Sequence, residues 1–139
     1  MDCNIKWTGE GMSFIAETGS QHTVIMDGAP EAGGRNLGAR PMELLLAGTG
    51  GCTAFDVVLI LKKGRHEITN CELKISADRA DTDPKVFTRI HFSFRITGKH
   101  LKPEAVARAI TLSKEKYCSA SIMLGKTAEI THDFEIFEG

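Results

Sequence analysis

PMELLLAGTGGCTAFDVVLILKK, Pro41 to Lys63, is the stretch on which the reading of the fold turns. It carries the longest apolar run in the chain, with Cys52 near its middle. Pro41 suits the first position of a helix, where the missing N–H has no partner in any case. Gly64 suits the stop, and Lys62 and Lys63 complement the negative end of the helix dipole. At about 1.5 Å per residue the helix spans roughly 35 Å, enough to cross a small domain. Nearly every position inside its ends is apolar or small, which predicts a helix buried on most sides. Ala47, Gly48, Gly50, Gly51 and Ala54 surround Cys52 with small residues, and each glycine costs about 1 kcal/mol of helix propensity relative to Ala. That cost is explained if another backbone, or a substrate, must come close to the sulfur.

Before this helix, Ile5 to Thr8, Met12 to Glu17 and His22 to Asp27 read as short strands, with Gly9–Gly11 and Thr18–Gln21 as turns. Gly28 to Arg40 is a glycine-rich loop too polar for a core, and loops of this length in compact domains are commonly functional. After the helix, Ile68 to Ala80 and Val86 to Thr97 alternate as strands, the second with Phe87, Ile90, Phe92, Phe94 and Ile96 largely at period two. Lys102 to Tyr117 reads as a second helix with Pro103 in its first turn. Ser119 could cap a further short helix through Leu124. Ala128 to Phe137 closes the chain as a strand. The order βββ-α-ββ-α-β predicts an α+β domain, residues 1–139, with mostly antiparallel strands. A nearly all-apolar central helix needs more cover than one such sheet and one amphipathic helix supply, so a homodimer with this helix near the interface is expected.

Composition fits that picture. With 139 residues, one domain with its own core is feasible. A net charge of -1 gives no reason to expect nucleic acid or an anionic membrane surface as partner. The opening MDCNIKW carries no secretory pattern, and the central helix, broken by Gly and Thr and holding Asp56, reads as a core helix rather than a membrane span. A cytoplasmic location is expected, where the four cysteines, Cys3, Cys52, Cys71 and Cys118, are reduced thiols rather than a disulfide scaffold. No C-x-x-C or H-x-x-x-H spacing occurs, so no metal site is expected, and no cofactor either.

A nucleophilic cysteine must be a thiolate, which requires something to lower a pKa near 8.5. Cys52 lies three turns into its helix, beyond the reach of the helix dipole. A cation from elsewhere is needed, and the glycine-rich loop offers Arg35 and Arg40. Asp56, one turn after Cys52, works the other way, because a nearby negative charge disfavours the thiolate. From the residues alone Cys52 reads as a packed core thiol, since free cysteine is among the most buried residue types. Cys118 lies at a helix break in K-Y-C-S-A-S, where an exposed helix start could favour its thiolate. Cys3 and Cys71 read as structural.

R-P-M-E-L-L-L-A-G-T-G-G-C at Arg40 to Cys52 and K-Y-C-S-A-S at Lys116 to Ser121, together with the element order, resemble the OsmC/Ohr family of thiol peroxidases. The resemblance spans nearly the whole chain and is strongest to the YhfA-like branch, which also reads P-M-E before the helix and E-K-Y-C-S at the second cysteine. It implies an intertwined homodimer with two long helices at its centre. It also implies that Cys52 attacks an organic hydroperoxide, that Cys118 resolves the sulfenic acid to a disulfide, and that a thiol reductant, such as a lipoylated protein, restores the pair. In the family a glutamate directly after the proline holds a loop arginine against the sulfur. Here Met42 stands at that place, and Glu43 lies about 100° further round the helix. The candidate site is therefore Cys52, Cys118, Arg35, Arg40 and Glu43. The alternative is a non-catalytic member that binds a small apolar ligand or senses redox state.

Overall fold

The computed structural model describes residues 1–139, and its contacts divide them into two units, Met1–Ala47 and Gly48–Gly139. The first unit holds β1 (Cys3–Trp7), β2 (Ser13–Thr18) and β3 (Thr23–Asp27). They form an antiparallel meander in that order. The second unit holds β4 (Glu67–Arg79), β5 (Phe87–Lys99) and β6 (Glu129–Glu138), also a three-stranded sheet in sequence order. The division falls inside the long helix α1 (Pro41–Lys63). After β5 come α2 (Pro103–Leu112), a π-turn (Ser113–Tyr117), and α3 (Ser119–Leu124).

The strands are mostly antiparallel, as expected, with one parallel pair, while the second helix needs correction. The β4–β5 pair is antiparallel, but β5 and β6 run parallel, joined by the crossover through α2 and α3. A parallel pair needs such a long connection, whereas the meander of the first unit needs only tight turns. The helix expected from Lys102 to Tyr117 ends at Leu112, where the chain widens into the π-turn.

In the second unit the core is β5 and what covers it. Ile90, Phe92, Phe94 and Ile96 recur at period two and are all buried, as one face of a strand packed on helices requires. Val57 and Leu61 of α1 and Val106, Ala109 and Ile110 of α2 are buried as well. The rings of Phe92 and Phe94 meet edge to face, with centroids 6.4 Å apart. Phe92→Ala is expected to cost about 3–5 kcal/mol of unfolding free energy, read by urea titration, because it removes a filled ring volume that nothing else occupies.

Within α1, the buried residues of the second unit are Thr49, Gly50, Thr53, Val57 and Leu61, a stripe at helical spacing. Gly50 allows the close approach: a Cβ there would come within 2.6 Å of Ile75 Cδ1 on β4. Gly48 and Gly51 differ, since a Cβ on either would meet nothing within 4 Å. Near them on the outer face Phe55 is 66% and Leu59 38% exposed. On length and composition alone α1 could cross a membrane, but its stripe is packed as a core helix on one side. It is not enclosed on most sides by its own chain.

In the first unit, Asp27 organises the glycine-rich loop. Its buried carboxylate accepts the backbone N–H of Gly28 at 2.8 Å, Arg35 at 3.1 Å and Leu37 at 3.1 Å. Gly33 ends the 3-10 turn Pro30–Ala32 in the left-handed region, with φ 89°, which favours glycine. The N–H of Leu37 above all, and then those of Arg35 and Gly28, outweigh burial and hold the Asp27 carboxyl below its ordinary value of 3.8. A lowered acid pKa stabilises the fold above the unfolded value, and that stability is lost as pH falls through the folded one. The melting-temperature gap between the natural protein and Asp27→Asn is therefore expected to be full at neutral pH and to shrink below about pH 3.8.

Candidate functional site

Cys52 and Asp56 stand one turn apart on α1, and the π-turn delivers Cys118 to them. The turn exists because the Cys118 N–H bonds the Ser113 carbonyl at 2.8 Å, five residues back. Such a π-type step inside a helical run often marks a functional site. It releases Cys118 from helical geometry, so that the residue becomes the N-cap of α3 and its sulfur accepts the Ser121 N–H at 3.3 Å. The cap is thus Cys118 and not the expected Ser119, which is the first residue of α3. Cys118 is also fully buried, 0% exposed, rather than at an exposed helix start.

The result is a close cluster. The sulfurs of Cys52 and Cys118 and a carboxylate oxygen of Asp56 lie within 4.8 Å of one another. Both cysteines are free thiols. Hydroxyl groups pin the cluster: Ser113 Oγ donates to Asp56 Oδ2 at 2.8 Å, and Thr53 Oγ1 lies 3.3 Å from Cys118 Sγ. Thr53 has one proton and two acceptors, because it also reaches the Thr49 carbonyl at 2.9 Å.

The two thiols are electrostatically unequal. Burial pushes the Cys52 thiol up, and the hydrogen bond to Cys118 and the negative charges of Cys118 and Asp56 push it further. Burial acts on Cys118 in the same direction, but hydrogen bonds from Cys52, Ser121 and Thr53 together outweigh it and lower that thiol. Cys118 is therefore the more acidic of the two, and Cys52 is the one that is partly exposed. The charged neighbour of Cys52 in its own unit is Asp56.

The other candidates lie in the first unit, where each has partners of its own. Arg35 pairs with Glu10 at 3.4 Å. The Arg40 guanidinium donates to Asn36 Oδ1 at 3.2 Å and to the Gly38 carbonyl at 3.3 Å. Glu43 Oε1 accepts the Arg40 backbone N–H at 2.8 Å, the returning half of a capping box that starts α1. Thr53, Ser113 and Ser121 were not anticipated, since a hydroxyl acting across chain segments leaves no local pattern. Cys3 is exposed and Cys71 half-buried, outside the cluster.

Comparison with known proteins places these positions in context. The family model described as OsmC-like protein matches residues 33–133, which include both cysteines. Protein YhfA of Escherichia coli K12 is 45% identical over 139 residues, covering 98% of each chain. The crystal structure of a hypothetical protein from Aquifex aeolicus VF5 is 26% identical with a TM-score of 0.86, over 99% of this chain and 96% of that one. At 13% identity, an organic hydroperoxide resistance protein OsmC from Legionella pneumophila shares the fold, with a TM-score of 0.71 over 96% and 95% of the two chains.

Proposed function

The chain belongs to the OsmC-like protein family, and from that premise we propose that it is a thiol-dependent peroxidase that reduces organic hydroperoxides through Cys52 and Cys118. The observation that carries the reading is the contact of a partly exposed thiol with a buried, more acidic one. In the proposed cycle Cys118, as thiolate, takes the Cys52 proton while Cys52 sulfur attacks the terminal oxygen of the hydroperoxide. The O–O bond breaks, the alkoxide recovers the proton from Cys118, and Cys52 becomes a sulfenic acid. Cys118 thiolate then attacks the Cys52 sulfur and expels hydroxide, leaving a disulfide. An external dithiol, free or on a lipoylated protein, returns both residues to thiols.

The active species in this reading is a cytoplasmic homodimer. The two glycines of α1 that face open space, with Phe55 and Leu59 beside them, fit a second copy of the helix at close range. Arg35 and Arg40 are the candidate cations for steering peroxide or stabilising alkoxide, and Glu43 sets the start of the helix that carries Cys52. Substrate is an alkyl or aryl hydroperoxide, with the oxidative stress response as its setting.

A second reading rests on Asp56, which opposes the Cys52 thiolate, and on Met42 in place of a charged residue. It makes the protein a redox sensor, or a binder of a small apolar ligand. Consumption of cumene hydroperoxide by the purified protein with dithiothreitol separates the two. The peroxidase turns over many equivalents per chain. A sensor is oxidised stoichiometrically and recycles only slowly, and a binder consumes none.

A further inference from the structure

Peroxide is not the only species to which two thiols and a carboxylate are suited. The three ligand atoms of Cys52, Asp56 and Cys118 lie within 4.8 Å of one another. A tetrahedral zinc ion with Zn–S near 2.3 Å and Zn–O near 2.0 Å holds its ligand atoms roughly 3.5–3.8 Å apart, so contraction by about 1 Å meets an ion. We propose that Cys52, Asp56 and Cys118 form a binding site for a thiophilic divalent cation, with zinc as the representative ion and the fourth position open to solvent on the Cys52 side. The proposal stands independently of the peroxidase reading.

Three features support it beyond spacing. The cluster gathers three groups that can each be negative within 4.8 Å of one another, where like charges repel. A dication removes that repulsion, because two thiolates and one carboxylate leave the occupied site with a net charge of about −1. The groups are also already oriented. Ser113 holds one oxygen of Asp56, leaving the other for the ion, while the Ser121 N–H and Thr53 fix the direction of the Cys118 sulfur. Finally, two sulfur donors select zinc, cobalt or copper over magnesium and calcium, which demand oxygen. Thiol protons are lost to solvent on binding, so apparent affinity rises with pH. An occupied site ties up the lone pairs needed for attack on peroxide.

The test uses the reduced full-length protein, titrated with Zn²⁺ against a chromophoric chelator and with Co²⁺ by absorption. One equivalent of either ion is expected per chain. Co²⁺ should give tetrahedral ligand-field bands and a thiolate-to-cobalt charge-transfer band. Cys52→Ser and Cys118→Ser should each weaken Zn²⁺ binding by about 100-fold or more, and Asp56→Asn by about tenfold or more. Zn²⁺ should slow alkylation of Cys52, and a strong chelator should restore it. A Co²⁺ spectrum lacking the thiolate band overturns the proposal, and does so even if a variant fails to fold. Equal affinity in a Cys52→Ser/Cys118→Ser double variant, which retains Cys3 and Cys71, also overturns it. None of these readouts involves peroxide, so failure of the peroxidase reading leaves them unaffected.

Discussion

Cys52→Ser is expected to bring hydroperoxide consumption down to the rate of a protein-free control, a loss on the order of 10³-fold or more, as removal of a nucleophile does. The serine hydroxyl fits the same space but is not ionised at neutral pH, so the O–O bond meets no thiolate. Cys118→Ser should behave differently. Cys52 can still be oxidised once, but the sulfenic acid finds no thiol beside it, and turnover stops after one equivalent. The first equivalent should also be consumed more slowly, because the group that accepts the Cys52 proton is gone. Rapid mixing with cumene hydroperoxide, with dimedone to trap sulfenic acid, reads both effects. Retention of full turnover in Cys52→Ser would place the chemistry at another residue.

Phe55→Glu is expected to convert a dimer to a monomer, halving the mass measured by light scattering at micromolar concentration. Phe55 is 66% exposed, and with Leu59, Ala54, Val58, Lys62 and Cys71 it lines a groove of about 390 Å³ along α1. In a two-fold dimer built on this face, each substitution brings a carboxylate near its symmetry mate and out of water. Desolvation and like-charge repulsion both oppose this. The second unit should still fold, since the side chain points away from the Val57 and Leu61 stripe. A natural protein that is already monomeric would remove the dimer from the account.

Much of this architecture was legible in the chain because its signals are local. Pro41 and Gly64 bracket α1, and the observed helix runs from Pro41 to Lys63. Period-two spacing of Ile90, Phe92, Phe94 and Ile96 identified β5 as the buried strand. What was not legible depends on partners distant in sequence. The parallel direction of β6 is set by the path of the crossover, and alternation along the strand is the same in either direction. The break at Leu112 goes with a bond of the π type, Cys118 N–H to the Ser113 carbonyl, which no propensity encodes.

The candidate site divides in the same way. Cys52 and Asp56 share a helix face by spacing alone, whereas Cys118 joined them in the reading only through the family resemblance. In the fold its sulfur lies within 4.8 Å of the Cys52 sulfur and an Asp56 oxygen. The hydroxyls of Thr53 and Ser113 gave no warning, because threonine and serine in a helix are commonplace. Glu43 enters the candidate site as the acidic residue next to the family's position, yet E three residues after the helix-capping position is also a helix-start signal, and its oxygen meets the Arg40 N–H. The inequality of the two thiols could not be read from sequence at all, since it arises from burial and from hydrogen bonds across the fold.

The most direct test is to add one equivalent of cumene hydroperoxide to the reduced protein, block remaining thiols and map the peptides by mass spectrometry. The account predicts a single new disulfide joining Cys52 to Cys118, with Cys3 and Cys71 alkylated. Four alkylated cysteines after that treatment, or a bridge that leaves out either Cys52 or Cys118, would contradict it.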